Sequence, residues 1–140
     1  MERSGLIYAL LAALLWGSAP VLEKLGLVKI SPLAGLAIRT ITITIILVVI
    51  AFFTDLTKEV VSVDSKSLFF LIVSGIIAGL LGMWSYFKAL KCWEASRVVP
   101  IVGAYPLIAL LFALLFLGEK LTLQKALGVL LVVSGVFLLG

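Results

Sequence analysis

Histidine is absent from the 140 residues, and cysteine occurs once, at Cys92. A lone cysteine excludes an intrachain disulfide, and a chain without histidine lacks the usual zinc ligands, so no metal and no other cofactor is expected. Charge is scarce as well. Asp, Glu, Lys and Arg make up 13% of the residues, about half of what soluble domains carry. What fills the chain is apolar: 64% hydrophobic residues and a mean hydropathy of +1.33, the composition of a polytopic membrane protein. The net charge of +4 forms no patch, because the cations sit singly between apolar runs. Nucleic acid is therefore not an expected partner, and the lipid bilayer is. No nucleophile, base and orienting group converge in any one stretch, so an enzyme is not expected either.

The apolar runs fix the organisation. Val98 to Gly118 carries no charge over twenty-one residues, about 30 Å of helix, the thickness of a bilayer's hydrocarbon core. Pro100 and Pro106 each remove a backbone donor there, which predicts a loosened turn around Gly103, Ala104 and Tyr105. Such a turn is tolerated in lipid only where protein buries it or a cavity faces it. Arg3 followed by an apolar run ending in Gly17, Ser18 and Ala19 invites comparison with a signal peptide. Glu2 and Pro20 fit that pattern poorly and the run continues to Leu22, so a retained first helix is expected.

Five spans follow, at about 5–22, 32–53, 67–87, 98–118 and 123–140. Ser31 before Pro32 makes a helix start, the serine as N-cap and the proline where a missing N–H costs nothing. Arg39 to Ile45, RTITITI, alternates like a strand, yet the surrounding apolar run is too long for one and predicts helix. Thr40, Thr42 and Thr44 can return their hydroxyls to carbonyls one turn back. Gly75, Gly79 and Gly82 form a small-residue stripe, which predicts close packing of a neighbouring helix. Thr54 to Lys66 is the one long polar connection, GEKL at Gly118 to Leu121 is a tight turn, and Thr122 is the expected N-cap of the last span.

Orientation follows the count of Lys and Arg in short loops. The N-terminal side has Arg3, Lys58, Lys66, Lys120 and Lys125, five cations; the other side has Lys24, Lys29, Lys88, Lys91 and Arg97, also five. Arg39, two turns into the second span, can snorkel toward the second side. So even a count gives the insertion machinery little instruction. A chain that inserts both ways can pair with its own inverted copy, the architecture of many secondary transporters.

Trp16-Gly17-Ser18, Ser31-Pro32 followed by Arg39, Tyr86-Phe87-Lys88-Ala89-Leu90, Tyr105-Pro106 and the closing GEKLTLQKALGVLLVVSGVFLLG together resemble an EamA domain, the repeat unit of the drug/metabolite transporter superfamily. The resemblance covers nearly the whole chain. It implies an all-α integral membrane protein whose five transmembrane helices are half of a ten-helix inverted-repeat transporter. It further implies a small-molecule substrate, alternating access, an antiparallel homodimer and a bacterial or archaeal plasma membrane. Two rival readings are a half-transporter completed by a different partner chain and a membrane scaffold or regulator that moves nothing.

Candidate pathway residues are those whose polar or aromatic groups lipid would not reward. They are Trp16 and Ser18 in the first span, Arg39 in the second, Tyr86 at the end of the third, and Tyr105 with Pro106 beside the proline break. Tyr105 could donate to the freed carbonyl of Ile101 or to a ligand. Trp84 and Trp93 read as interfacial belt residues. Glu23 lies about 27 Å along a helix starting at Gly5, beside Lys24, and reads as a solvated boundary residue.

Overall fold

A computed structural model describes residues 2–139, with side chains described for residues 4–138. The helices, in chain order, are α1 (Glu2–Gly26), α2 (Pro32–Phe53), α3 (Leu56–Val61), α4 (Ser65–Cys92), α5 (Ala95–Val102), α6 (Tyr105–Phe116) and α7 (Leu123–Leu139). Four stretches, Ser4–Gly26, Pro32–Phe53, Ser65–Cys92 and Ala95–Phe116, are long and apolar enough to cross a membrane. The last helix is shorter, 17 residues or about 25 Å, at the lower end of membrane-spanning length. In each of the four long stretches 6% or less of the residues are buried within the chain. Water would not tolerate so much bare Leu, Ile and Phe, so lipid or further protein must cover them.

The chain divides into two compact units, residues 21–91 and residues 1–20 with 92–140. In the first unit the core is small: Leu27, Leu36, Phe87 and Leu90 are its buried apolar side chains. Gly35 permits that packing, because a Cβ there would lie 2.7 Å from the Leu27 Cδ2 and 3.6 Å from a Phe87 ring carbon. Two lysines fasten the same region. Lys24 Nζ donates to the Leu90 carbonyl, and Lys91 Nζ donates to the Ile30 carbonyl at 2.7 Å. The α1–α2 turn is thereby held against the C-terminal end of α4.

The local signals act as their chemistry predicts. The Ser31 hydroxyl accepts from the Ala34 N–H at 3.1 Å, with Pro32 opening α2, and RTITITI is helical throughout, which satisfies its backbone internally as lipid demands. Asp64 caps α4, accepting from the Ser67 N–H at 2.9 Å. Hydrogen bonds from the Ser67 side chain and backbone hold its carboxyl below the usual aspartate range. The polar connection contains the short helix α3, beside which Lys58 pairs with Asp55 at 2.6 Å. The middle of α4, Gly75–Gly82, is a π-helix, a departure from the regular helix expected there. α4 also runs on past Phe87 to Cys92.

In the second unit α5 and α6 both pack against α7. The break between α5 and α6 falls at Gly103 and Ala104, between the two prolines. Thr122 caps α7, accepting from the Lys125 N–H at 3.2 Å. Gly118, at φ 63°, takes the left-handed turn that side chains resist.

Candidate functional site

One face of α2 carries the site. Leu36, Arg39, Thr40, Ile43 and Thr44 recur at the three- and four-residue spacing of a single helical stripe. Opposite stand Gly75, Gly79, Leu80 and Met83 of α4, and between the two walls lies a cavity of about 350 Å³, at the small end of ligand pockets. The π-turn segment and its glycines make the space. A Cβ built on Gly75 or on Gly79 meets nothing within 4 Å. The close helix contact expected of this stripe is therefore not made by any described residue of the chain, and the glycines border open volume instead.

The lining is apolar except for three residues, Arg39, Thr40 and Thr44. Thr42 does return its hydroxyl to the Ile38 carbonyl, at 2.8 Å. Its neighbours Thr40 and Thr44 make no hydrogen bond among the described residues, leaving two hydroxyls for the cavity.

At one end of this stripe a charge cluster joins three helices. Arg39 Nη1 lies 3.5 Å from the Glu23 Oε1 of α1 and donates to the Met83 Sδ of α4 at 3.1 Å. Tyr86 stands beside the same Glu23 carboxylate and interacts with it electrostatically. Glu23 is thus no solvated boundary residue: its side chain is 15% exposed, against 40% for Arg39. A separation of 3.5 Å is looser than the 2.7–2.9 Å or so of a charge-assisted hydrogen bond. The guanidinium keeps donors available, while Glu23 retains Tyr86 as a second partner. An acceptor group on a ligand can take Arg39 without stranding the carboxylate.

Of the residues singled out from sequence, Arg39 and Tyr86 come together in this cluster. Trp16, Ser18, Tyr105 and Pro106 belong to the other unit. Trp16 is exposed, and Ser18 returns its hydroxyl to the Leu15 carbonyl at 2.9 Å. Tyr105 is exposed at the start of α6 with Pro106 beside it. The Ile101 carbonyl, expected to be freed by the break, accepts from the Ala104 N–H at 3.2 Å and needs no tyrosine. Trp84 and Trp93 each carry a cation over the ring, Lys88 at 3.8 Å and Arg97 at 4.6 Å.

Sequence reasoning missed Glu23, Met83 and the π segment. The Glu23 signal was present, since a hairpin closed by the short turn at residues 27–31 brings the end of α1 level with the first turns of α2. An opposite charge at Arg39 was the matching half.

Comparison with known proteins adds kinship to this geometry. The EamA-like transporter family profile matches residues 3–140. An "uncharacterized transporter in cobO 3'region" of Sinorhizobium sp is 32% identical over 139 residues, covering 99% of this chain and 98% of that one. An uncharacterized transporter of Archaeoglobus fulgidus is also 32% identical over 139 residues, but these are 47% of its length. A probable 4-amino-4-deoxy-L-arabinose-phosphoundecaprenol flippase subunit ArnF of Yersinia enterocolitica is 36% identical over 72 residues, 45% of this chain and 56% of that one. No solved structure matches the chain.

Proposed function

The chain belongs to the EamA-like transporter family, and from that premise we propose that it moves small amphipathic compounds across the plasma membrane by alternating access, as an antiparallel homodimer of inverted repeats. The observation that carries this reading is the cavity bordered by Gly75 and Gly79 with Arg39 on its wall. It pairs an apolar chamber with a cation whose partner is loosely held, the combination that suits an amphiphile bearing an acceptor group. Arg39 anchors that group. Thr40 and Thr44 offer hydroxyls, and Tyr86 stays beside Glu23 while Arg39 is engaged. For Trp16, Ser18, Tyr105 and Pro106 the proposed role is pathway lining on their own unit.

The dimer has separate support. The Archaeoglobus relative accommodates this chain in 47% of its length, so two chain lengths make one such protein. A different partner chain is the second reading, favoured by a relative whose name describes a flippase subunit.

The test is flux of a panel of amphipathic metabolites into vesicles that contain only this chain. Gly79→Leu fills the cavity, and the 4 Å of space around that position should let the variant fold. Flux by the wild type and its loss in Gly79→Leu is the expected result. Equal flux in both would remove the cavity from the pathway. Flux that needs a second, different chain would establish the half-transporter reading.

A further inference from the structure

The cavity between α2 and α4 is read above as the substrate site, and resting on that reading we infer that it takes a weak organic acid: Arg39 holds the carboxylate and Glu23 takes up one proton. Arg39 stands on the cavity wall, and both of its contacts use one nitrogen. Nη1 lies 3.5 Å from the Glu23 Oε1 and donates to the Met83 Sδ at 3.1 Å. The Nε and Nη2 N–H groups make no hydrogen bond among the described residues. Those two groups form the guanidinium edge that matches the paired oxygens of a carboxylate. A carboxylate can be held there while Nη1 keeps its own contacts.

Charge decides what enters. No Asp or Glu lines the cavity among the described residues, so an ammonium group would lie beside Arg39 with no carboxylate to meet it. That disfavours an amine or an amino acid and leaves an acid without an ammonium group. The volume sets the size. The cavity of about 350 Å³, at about 30 Å³ for each water-sized group, holds about a dozen non-hydrogen atoms. Leu36, Ile43 and Leu80 in the wall suit an apolar body.

The proton follows from the pair already present. Arg39 and Glu23 balance each other. A second carboxylate on the same guanidinium would leave one excess negative charge in membrane-spanning stretches, which is costly. One proton on Glu23 removes it. The groups facing Glu23 are Arg39 of α2 and Tyr86 of α4, while Lys24, next to it on α1, donates to the Leu90 carbonyl. The guanidinium, the phenol and the ammonium already hold their protons at neutral pH, which leaves Glu23 as the acceptor. The total charge is then the same before and after: the guanidinium holds the ligand carboxylate, and a proton drawn from water sits on Glu23. The complex carries one proton more than its free components, so binding strengthens as pH falls, by up to about tenfold per pH unit.

The experiment is titration calorimetry of the full chain in detergent micelles with hydrocinnamate, an apolar acid of the size the cavity admits, in two buffers of different ionisation enthalpy at neutral pH. Gly79→Leu, which fills the cavity, gives the background of partition into the micelle. Hydrocinnamate should bind above that background with uptake of one proton. Hydrocinnamamide, the neutral isostere, and phenylalanine, the same acid with an ammonium group, should each bind about tenfold to a hundredfold more weakly. Arg39→Met should lose binding, and Glu23→Gln should keep it without proton uptake. No binding above the background, equal binding of the amide or of phenylalanine, or proton uptake that persists in Glu23→Gln would each overturn the inference. Flux separates it from the transport reading. Hydrocinnamate that binds with its proton and is never carried into vesicles would remove that reading and leave the inference standing, whereas carriage of the amide as readily as the acid would do the reverse.

Discussion

Replacing Glu23 by Gln would leave the Arg39 guanidinium without its counter-charge while keeping a polar side chain beside Tyr86. At 3.5 Å and an effective dielectric constant near 20, the two charges attract by about 5 kcal/mol before any desolvation cost. The side chains are 40% and 15% exposed, which places the pair between two regimes. Solvated pairs contribute roughly 0–1 kcal/mol, and breaking a buried pair costs about 3–5 kcal/mol. We expect Glu23→Gln to destabilise the protein by about 2 kcal/mol, and Arg39→Met by a similar amount. The double variant should lose about 1.5 kcal/mol less than the sum, because the second change removes a charge already stranded. Tyr86→Phe should cost about 1 kcal/mol, because it removes a polar neighbour of the Glu23 carboxylate. The assay is unfolding in mixed micelles by titrated dodecyl sulfate, followed by circular dichroism. A coupling energy within about 0.3 kcal/mol of zero would refute the account of this cluster. Arg39 would then be a snorkelling anchor with no partner that matters.

Two further outcomes follow from the same geometry. Gly35→Ala drives a methyl to 2.7 Å from the Cδ2 of Leu27, itself buried, so that side chain must shift and the helix gain of about 1 kcal/mol from alanine should be offset by overpacking, whereas Gly75→Ala, with nothing within 4 Å, should be neutral or slightly stabilising in the same titration. A greater loss at Gly75 than at Gly35 would mean the open wall of the cavity is wrongly drawn. Asp64 has its folded pKa lowered by the Ser67 hydrogen bonds, so its capping contribution is complete above the unfolded aspartate value and is lost as pH falls through the lower folded value. The Ser67 amide proton shift should accordingly titrate below the ordinary aspartate range, and a midpoint at or above that range would show that the cap is not formed.

The parts of the fold written in local chemistry were legible before any coordinates. Charge-free runs marked the membrane segments, Ser31 and Thr122 marked two helix starts, and Pro100 with Pro106 marked the break at Gly103 and Ala104. The candidate site was only half legible. Arg39 stood out as a charge inside an apolar run, and Tyr86 as a polar aromatic at the end of one. Glu23 did not, because its meaning depends on a hairpin that sets it beside Arg39. The π segment left no trace in composition: Gly75 and Gly79 spell a packing stripe whether the helix winds tightly or loosely. The threonines of RTITITI divide by a distinction that periodicity alone cannot draw, with Thr42 turned back on its own helix and Thr44 on the cavity.

The central claim is that the space between α2 and the glycine face of α4 is a water-reachable pathway and not a lipid-filled groove. Its direct test is thiol accessibility at two adjacent positions in a Cys92→Ser background, Thr44→Cys on the cavity face of α2 and Ile45→Cys, which is exposed and lies off that face. In permeabilised vesicles, a charged membrane-impermeant maleimide should label the cysteine at 44 and spare the one at 45. Protection at both positions, or equal labelling of both, would contradict the claim.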